Sequence, residues 1–238
     1  MRNWLIFNGK STKDFGVYIS GLKTFDAPER DVEIISIPGR NGDLTIDNGR
    51  YKNIDVSYPA FIYDRMDENV AGLRNYMLSQ NGYVRLEDTY HPDEFRLARF
   101  KGPFSAKVVD WLEAGEFDLT FDCYPQRFLK EGEIEITIPH GETVNVYNQY
   151  GMTSKPIITV WAPCSFSING VSIDVTTEDG SLKSVYIDCN TENAHSGNTN
   201  YNQYLTLSNG KFPELVSGAN TIVAGVSDVN ITPRWWIL

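Results

Sequence analysis

From residue 133 onward the chain reads as one short strand after another. "EIEITIP", "ETVNVYN", "KPIITVWA", "SFSING", "VSIDVTT", "SVYIDC", "QYLTLSNG", "NTIVAGV" and "DVNITPRWW" follow at close, regular spacing. Apolar and polar residues alternate within them, the period of a strand with one buried face. Asn169-Gly170, Asp179-Gly180 and Asn209-Gly210 punctuate the series. Such pairs accept the positive φ that hairpin turns require. Helical periodicity is missing from this half, and no repeat of fixed length runs through it. The pattern predicts a β-sandwich or jelly roll.

The first half is different. "NWLIFNGKST" reads as a short strand entering an Asn-Gly turn. Val17 and Ile19 alternate with Tyr18 and Ser20, and Ile54, Val56 and Tyr58 share one face of a further strand. One helix interrupts the strands. In "DRMDENVAGLRNYMLSQNG" an acidic first turn precedes Val70, Leu73 and Met77, spaced for one helical face, with Leu78 adjoining. The helix is expected near 66–80, packed on a sheet and stopped by Asn81-Gly82. "GYVRLEDTYHPDEFRLARFKG" gives strand, loop, strand, and two more strands are expected around Glu113-Ala114-Gly115. The expectation is a mainly β chain: an α+β first domain over 1–130 and a β-sandwich over 131–238, with the boundary at 125–133.

Charge divides the chain in the same way. The net charge is −10 over 238 residues, and residues 131–238 contribute −7 of it with only four basic side chains. A primary nucleic-acid partner needs a concentrated basic face, which this composition excludes. No run approaches the roughly 20 apolar residues of a membrane helix, and "MRNWLIFNGK" turns polar too early for a signal peptide. A soluble chain made in a cytoplasm is expected. Cys123, Cys164 and Cys189 are widely spaced and form no C-x-x-C, so buried reduced thiols are expected.

"IPGRNGDLTIDNG", residues 37–49, is the stretch most like a ligand loop. A Walker-type phosphate loop runs Gly-Lys-Ser/Thr into a helix, whereas "GRNGD" runs into Leu44, Thr45 and Ile46. The dinucleotide spacing is absent, and Asp43 and Asp47 do not continue into a calcium series. Two turns remain, at Gly39 to Gly42 and at Asn48-Gly49, with a short β-arm "DLTID" between them. Arg40, Asn41, Asp43, Leu44 and Ile46 are the candidate contacts of that arm with a neighbouring subunit.

Other chemistries find little support. Glu87, Asp88, His91, Asp93 and Glu94 cluster in "EDTYHPDEF", but His91, His140 and His195 all lie in loop-like stretches, so a solvated loop is expected over a metal site. There is no G-x-S-x-G elbow. Close carboxylate pairs of the glycosidase kind arise readily among 31 acids. No catalytic residue, metal or cofactor is assigned. Trp161 and Trp235 are the candidate glycan contacts, with core packing as the competing reading.

Taken together, "FNGKSTKDFGVYISG", "APERDVEIISIPGRNGDL", "LRNYMLS", "GYVRLEDTYHPDEFRLA", "FDCYPQRFL" and the terminal "ITPRWW" resemble the distal tail protein (Dit) family of siphophages and prophages of Gram-positive bacteria. The likeness is densest over residues 5–130 and returns at the C-terminus. It implies a barrel-like ring-forming domain with one helix, then a galectin-like β-sandwich. It further implies a non-enzymatic virion protein of the tail tip. Six copies would form a ring joining the tail tube protein to the tail-associated lysin or hub. The outer domain carries receptor-binding proteins in some members and meets host-surface sugars in others. A carbohydrate-binding module for cell-surface glycan is the alternative reading, and a glycan hydrolase the third.

Overall fold

The computed structural model describes residues 2–21, 24–63, 65–103, 105–108 and 114–238. Those residues are mainly β, with one α-helix and three short 3-10 turns. The chain divides into two compact units, Met1–Arg127 together with Leu238, and Phe128–Ile237. The division falls three residues before the expected 130/131 boundary. Leu129 already belongs to the second core, and its N–H bonds the Trp235 carbonyl at 2.9 Å.

The first unit contains β1 (Leu5–Phe7), β2 (Lys10–Ser11), β3 (Val17–Ile19), β4 (Arg30–Ile35), β5 (Leu44–Tyr51) and β6 (Ile54–Ile62). After α1 (Met66–Ser79) come β7 (Val84–Asp88), β8 (Glu94–Phe100), β9 (Lys107–Val108) and β10 (Gly115–Cys123). An antiparallel sheet in the order β2-β1-β7-β8-β10-β6-β3 curls into a half-barrel, with β9 also on β10. Of Glu113-Ala114-Gly115, around which the last two strands were expected, Glu113 lies outside the described residues, and Gly115 already opens β10. Asn8 and Gly9, at φ 46° and 79°, join β1 to β2 across the Phe7–Lys10 pair, the turn that Asn-Gly predicts.

Alternation decides which residues enter this core. Val56, Tyr58, Ala60 and Ile62 on β6 face inward, as do Phe117, Leu119, Phe121 and Cys123 on β10. Phe121 packs against Phe7 at 5.2 Å and Phe100 at 5.6 Å between ring centroids. Burying one such side chain stabilises the fold by about 1.5–3 kcal/mol. The helix adds Met66, Leu73 and Met77, while Leu78 is left outside. Its Tyr76 hydroxyl donates to the Phe7 carbonyl at 2.7 Å and ties helix to sheet. The expected left-handed stop is not where the helix ends. Gln80 leaves in extended backbone, and Gly82, at φ 71°, turns the chain toward β7.

β11 (Arg127–Leu129) stands at the division, and the second unit has two antiparallel sheets. Its strands are β12 (Ile136–Ile138), β13 (Thr143–Asn148), β14 (Ile157–Ala162), β15 (Cys164–Ile168), β16 (Val171–Val175) and β17 (Lys183–Asp188). They continue as β18 (Asn193–Ser196), β19 (Thr199–Asn200), β20 (Leu205–Leu207), β21 (Gly218–Ala224), β22 (Val229–Thr232) and β23 (Trp236–Ile237). One sheet runs β12-β22-β14-β17-β18-β19 and the other β13-β21-β15-β16-β20. Ile158, Val160, Val185, Ile187, Val229 and Ile231 from the first meet Phe166, Ile168, Ile173, Val175 and Ile222 from the second. This is a β-sandwich.

Of the three expected hairpin turns only Asn169-Gly170 joins paired neighbours, β15 and β16. Asp179-Gly180 lies where the chain passes from one sheet to the other. Asn209-Gly210 follows β20, whose successor β21 pairs elsewhere in its sheet. The three cysteines are buried free thiols. Burial pushes Cys123 and Cys189 up to about 12 and Cys164 to about 11, so they stay protonated and inert at neutral pH.

Candidate assembly interface

β4 and β5 form a two-stranded sheet that pairs with no other strand among the described residues. Ile35 opposes Leu44 and Glu33 opposes Ile46, so Ile35, Leu44 and Ile46 share one face. Val32, Ile34 and Thr45 lie on the other. Apolar residues on both faces are the mark of a strand pair covered on both sides. Here they are uncovered: Ile34 is 64% exposed, Leu44 41% and Ile46 43%. A lone hairpin is marginal in water, and no other strand among the described residues supports this one.

The arm is longer than "DLTID". Its tip is the loop 36–43, which holds Arg40, Asn41 and Asp43, all exposed. Ile37-Pro38-Gly39-Arg40 is a type II turn: Pro38 takes the second place, Gly39 is at φ 83°, and the Arg40 N–H returns to the Ile37 carbonyl at 3.2 Å. The expected turn at Asn48-Gly49 is instead a bulge inside β5. Arg30 pairs with Tyr51 and Val32 with Asp47, so three residues of β5 oppose the single Asp31. Gly49, at φ 73°, supplies the left-handed step. Asp47 holds the bulge by accepting from Gly49 N–H at 2.8 Å and Arg30 Nε at 2.9 Å. The Arg30 hydrogen bond, then that of Gly49, keeps the Asp47 carboxyl below its ordinary range. Arg50 pairs with Asp31 at 2.7 Å and holds its carboxyl down in the same way. Pairs this exposed fix geometry more than they stabilise.

The two tryptophans part company. Trp161, on the outward face of β14, is 56% exposed. Trp235 is 6% exposed and belongs to the second core, so it offers no face to a sugar. A Cβ on Gly132 would lie 2.3 Å from the Trp235 nitrogen, which shows how tightly the terminal segment is seated. Arg234, at φ 58°, grips Asp188 with two bonds of 2.6 and 3.1 Å, and the Trp236 indole donates to the Thr153 carbonyl. "PRWW" is therefore a closure of the sandwich. Proline and two adjacent tryptophans signal a constrained segment, but not its depth.

The acidic loop after β7 has its groups engaged within the first unit. Asp88 accepts from the Tyr58 hydroxyl at 2.9 Å, His91 N–H at 2.8 Å and His91 Nδ1 at 3.1 Å. Glu87 pairs with Arg85, and Glu94 with Arg127. Burial, followed by the charge of Asp88, pushes the Tyr58 hydroxyl well up, so it remains a donor. Among the described residues no three His, Cys, Asp or Glu side chains gather as metal ligands, and no helix is long and apolar enough to cross a membrane.

Among the described residues, a half-barrel with one helix and a separate hairpin, followed by an antiparallel sandwich, makes a Dit-like fold. The SPP1 Dit (gp 19.1) protein, a hub of the adsorption apparatus in phages infecting Gram-positive bacteria, aligns over 96% of this chain and 97% of its own with a TM-score of 0.73 and 13% identity. Chains of the phage P2 baseplate in its activated conformation, with Ca and with Sr, align over 97% of both partners at TM-scores of 0.52 and 0.53 and 10% identity. At such identities the likeness lies in the fold. No family model matches the sequence. No curated protein matches it either.

Proposed function

We propose that this chain is a structural protein of a phage tail tip, made in the host bacterial cytoplasm and residing in the virion. Six copies close a ring through the first domain and join the tail tube protein to the tail-associated lysin or hub. No reaction belongs to this role. The Dit-like fold over 96% of the chain carries the reading. The arm supplies the local reason: a hairpin with exposed Ile34, Leu44 and Ile46 needs a second chain to cover it. Arg40, Asn41 and Asp43 at the tip would add polar contacts around that apolar centre. Light scattering with negative-stain imaging tests the proposal. The full chain should give six-fold rings at high concentration, and deletion of residues 41–48 should leave single copies. Rings that survive the deletion would remove the arm from the interface.

A second reading concerns the outer domain, which would carry a receptor-binding protein or meet host glycan. Exposed Trp161 favours the glycan, because a flat indole on a charge-poor face suits a sugar ring. Glycan-array binding by the full chain, lost in Trp161→Ala and unchanged in Tyr147→Ala, is the expected result. Equal binding by all three proteins would refute it.

A further inference from the structure

Residues of β6, β7 and β8 border a cavity in the first unit. It measures about 330 Å³ and is lined by Val56, Tyr58, Leu86, Asp88, Arg96 and Arg127 among others. Concave sites with a few convergent polar groups are common ligand sites. Arg96 is out of place in this lining. It pairs across the sheet with Leu86, and along β8 it shares a face with Ala98, both of them buried in the first core.

The polar groups of the wall are nearly all engaged. Asp88 has its donors from Tyr58 and His91, and Glu94 takes Arg127 Nη1 at 3.2 Å. Arg127 Nη2 donates to the Leu238 carbonyl at 2.8 Å. Asp26 accepts from the Thr24 hydroxyl at 3.3 Å and forms no ion pair among the described residues. Arg96 makes no hydrogen bond and no ion pair among the described residues, and its Nη1 is shielded from solvent without an acceptor. His91 Nε2 and Arg127 Nε, on two other lining residues, are shielded and unpartnered as well.

A guanidinium cannot shed its charge. A shielded N–H without an acceptor is costly, and more so when it is charged. The positive charge of Arg96 is felt at Tyr58 and Cys123, where it opposes the upward push of burial. A planar fork of donors is matched best by a carboxylate, which takes two bonds at once. The cavity has the volume of several waters, each about 30 Å³.

We propose that this cavity is a carboxylate-binding site in which Arg96 holds the ligand. The carboxylate is either a small free acid or an acidic side chain of a second copy of this chain.

Thermal melts of the full chain in sodium acetate and in sodium chloride, at matched pH and ionic strength, test the site. Acetate should raise the Tm of the wild type by a few degrees. Arg96→Met should lose that response and melt no lower than wild type in chloride, because an unpaired shielded cation has been removed. Asp26→Asn should keep or enlarge the response. Sedimentation then identifies the source. If a second copy supplies the carboxylate, acetate and Arg96→Met each weaken self-association; if the ligand is a free acid, neither does. A wild type indifferent to acetate would overturn the proposal. So would an Arg96→Met chain that melts lower than wild type by the same amount in both salts, since Arg96 would then be satisfied within its own chain.

Discussion

The arm and the sandwich are built from the same parts and finished differently. Both are antiparallel strands rich in Ile and Val, turned by glycines at positive φ. In the sandwich the second sheet covers the apolar row, so Ile158, Ile168 and Ile222 are sealed inside. In the arm no second layer comes from the described residues, and Ile34, Leu44 and Ile46 are exposed. Identical side chains thus contribute to folding in one place and remain available for association in the other. The difference marks the arm as an uncovered apolar surface more plainly than any motif does.

The comparison breaks most directly at the arm. Leu44→Asp with Ile46→Asp should weaken self-association by roughly 100-fold, about 2.7 kcal/mol, while the Tm of dilute protein shifts by no more than about 2 °C. Sedimentation and calorimetry read the two quantities separately. A collapse of Tm would show that the arm is part of the monomer's own core.

A matched pair sharpens it. Ile158→Ala should cost about 2–5 kcal/mol of outer-domain stability, through lost burial and the cavity left behind. Ile46→Ala in the dilute chain should cost less than about 0.5 kcal/mol. Chemical denaturation measures both, and equal losses would contradict the exposure of the arm. Glycines give a smaller contrast. A Cβ on Gly225 would come within 2.1 Å of the Ser165 carbonyl oxygen, whereas one on Gly42, at φ 85°, would meet open space. Gly225→Ala is expected to cost about 3 kcal/mol, and Gly42→Ala about 1 kcal/mol from backbone strain alone.

Acid should act most gently. Burial pushes the Asp188 carboxyl up, but the hydrogen bonds and charge of Arg234, with the backbone N–H groups of Asn190 and Thr191, together outweigh it and leave it below the ordinary 3.8. For Asp122 burial is likewise outweighed by donors from Tyr83, Arg99 and Asn53. A depressed folded value means that the stabilisation is complete above about pH 4 and disappears as pH falls through the lower folded values. Urea midpoints measured downward from pH 5 should fall, and Asp188→Asn should flatten that slope for the outer domain. Asp31 and Asp47 are depressed too, but they sit on the exposed arm, so their effect should fade with added salt.

Much of this architecture could be read from the sequence, for reasons tied to particular residues. The helix was legible because Val70, Leu73 and Met77 repeat on one face, and the sandwich because nine segments alternate. β18 and β19 escaped notice. "NAHSGNTN" is polar apart from Ala194 and carries no alternation to detect, although it forms paired strands at a sheet edge. Turn dipeptides showed that the chain turns but not where it goes, so Asp179-Gly180 looked like a hairpin and is a passage between sheets. Arg96 was invisible for a different reason. In "EFRLARF" both faces mix charge with apolar bulk, and only the partner strand reveals that the face bearing Arg96 and Ala98 points inward. Trp235 shows the opposite failure, a residue whose type suggests a surface and whose packing places it in the core.

The bulge in β5 has an arithmetic of its own. It inserts two residues, an even number, so the two-sided rhythm of the strand resumes beyond it in the same phase. Losing either Asn48 or Gly49 alone would leave an odd remainder. Leu44 and Ile46 would then swap sides relative to Tyr51, and the greasy flank of the hairpin would change faces. A single codon here decides which way that flank looks.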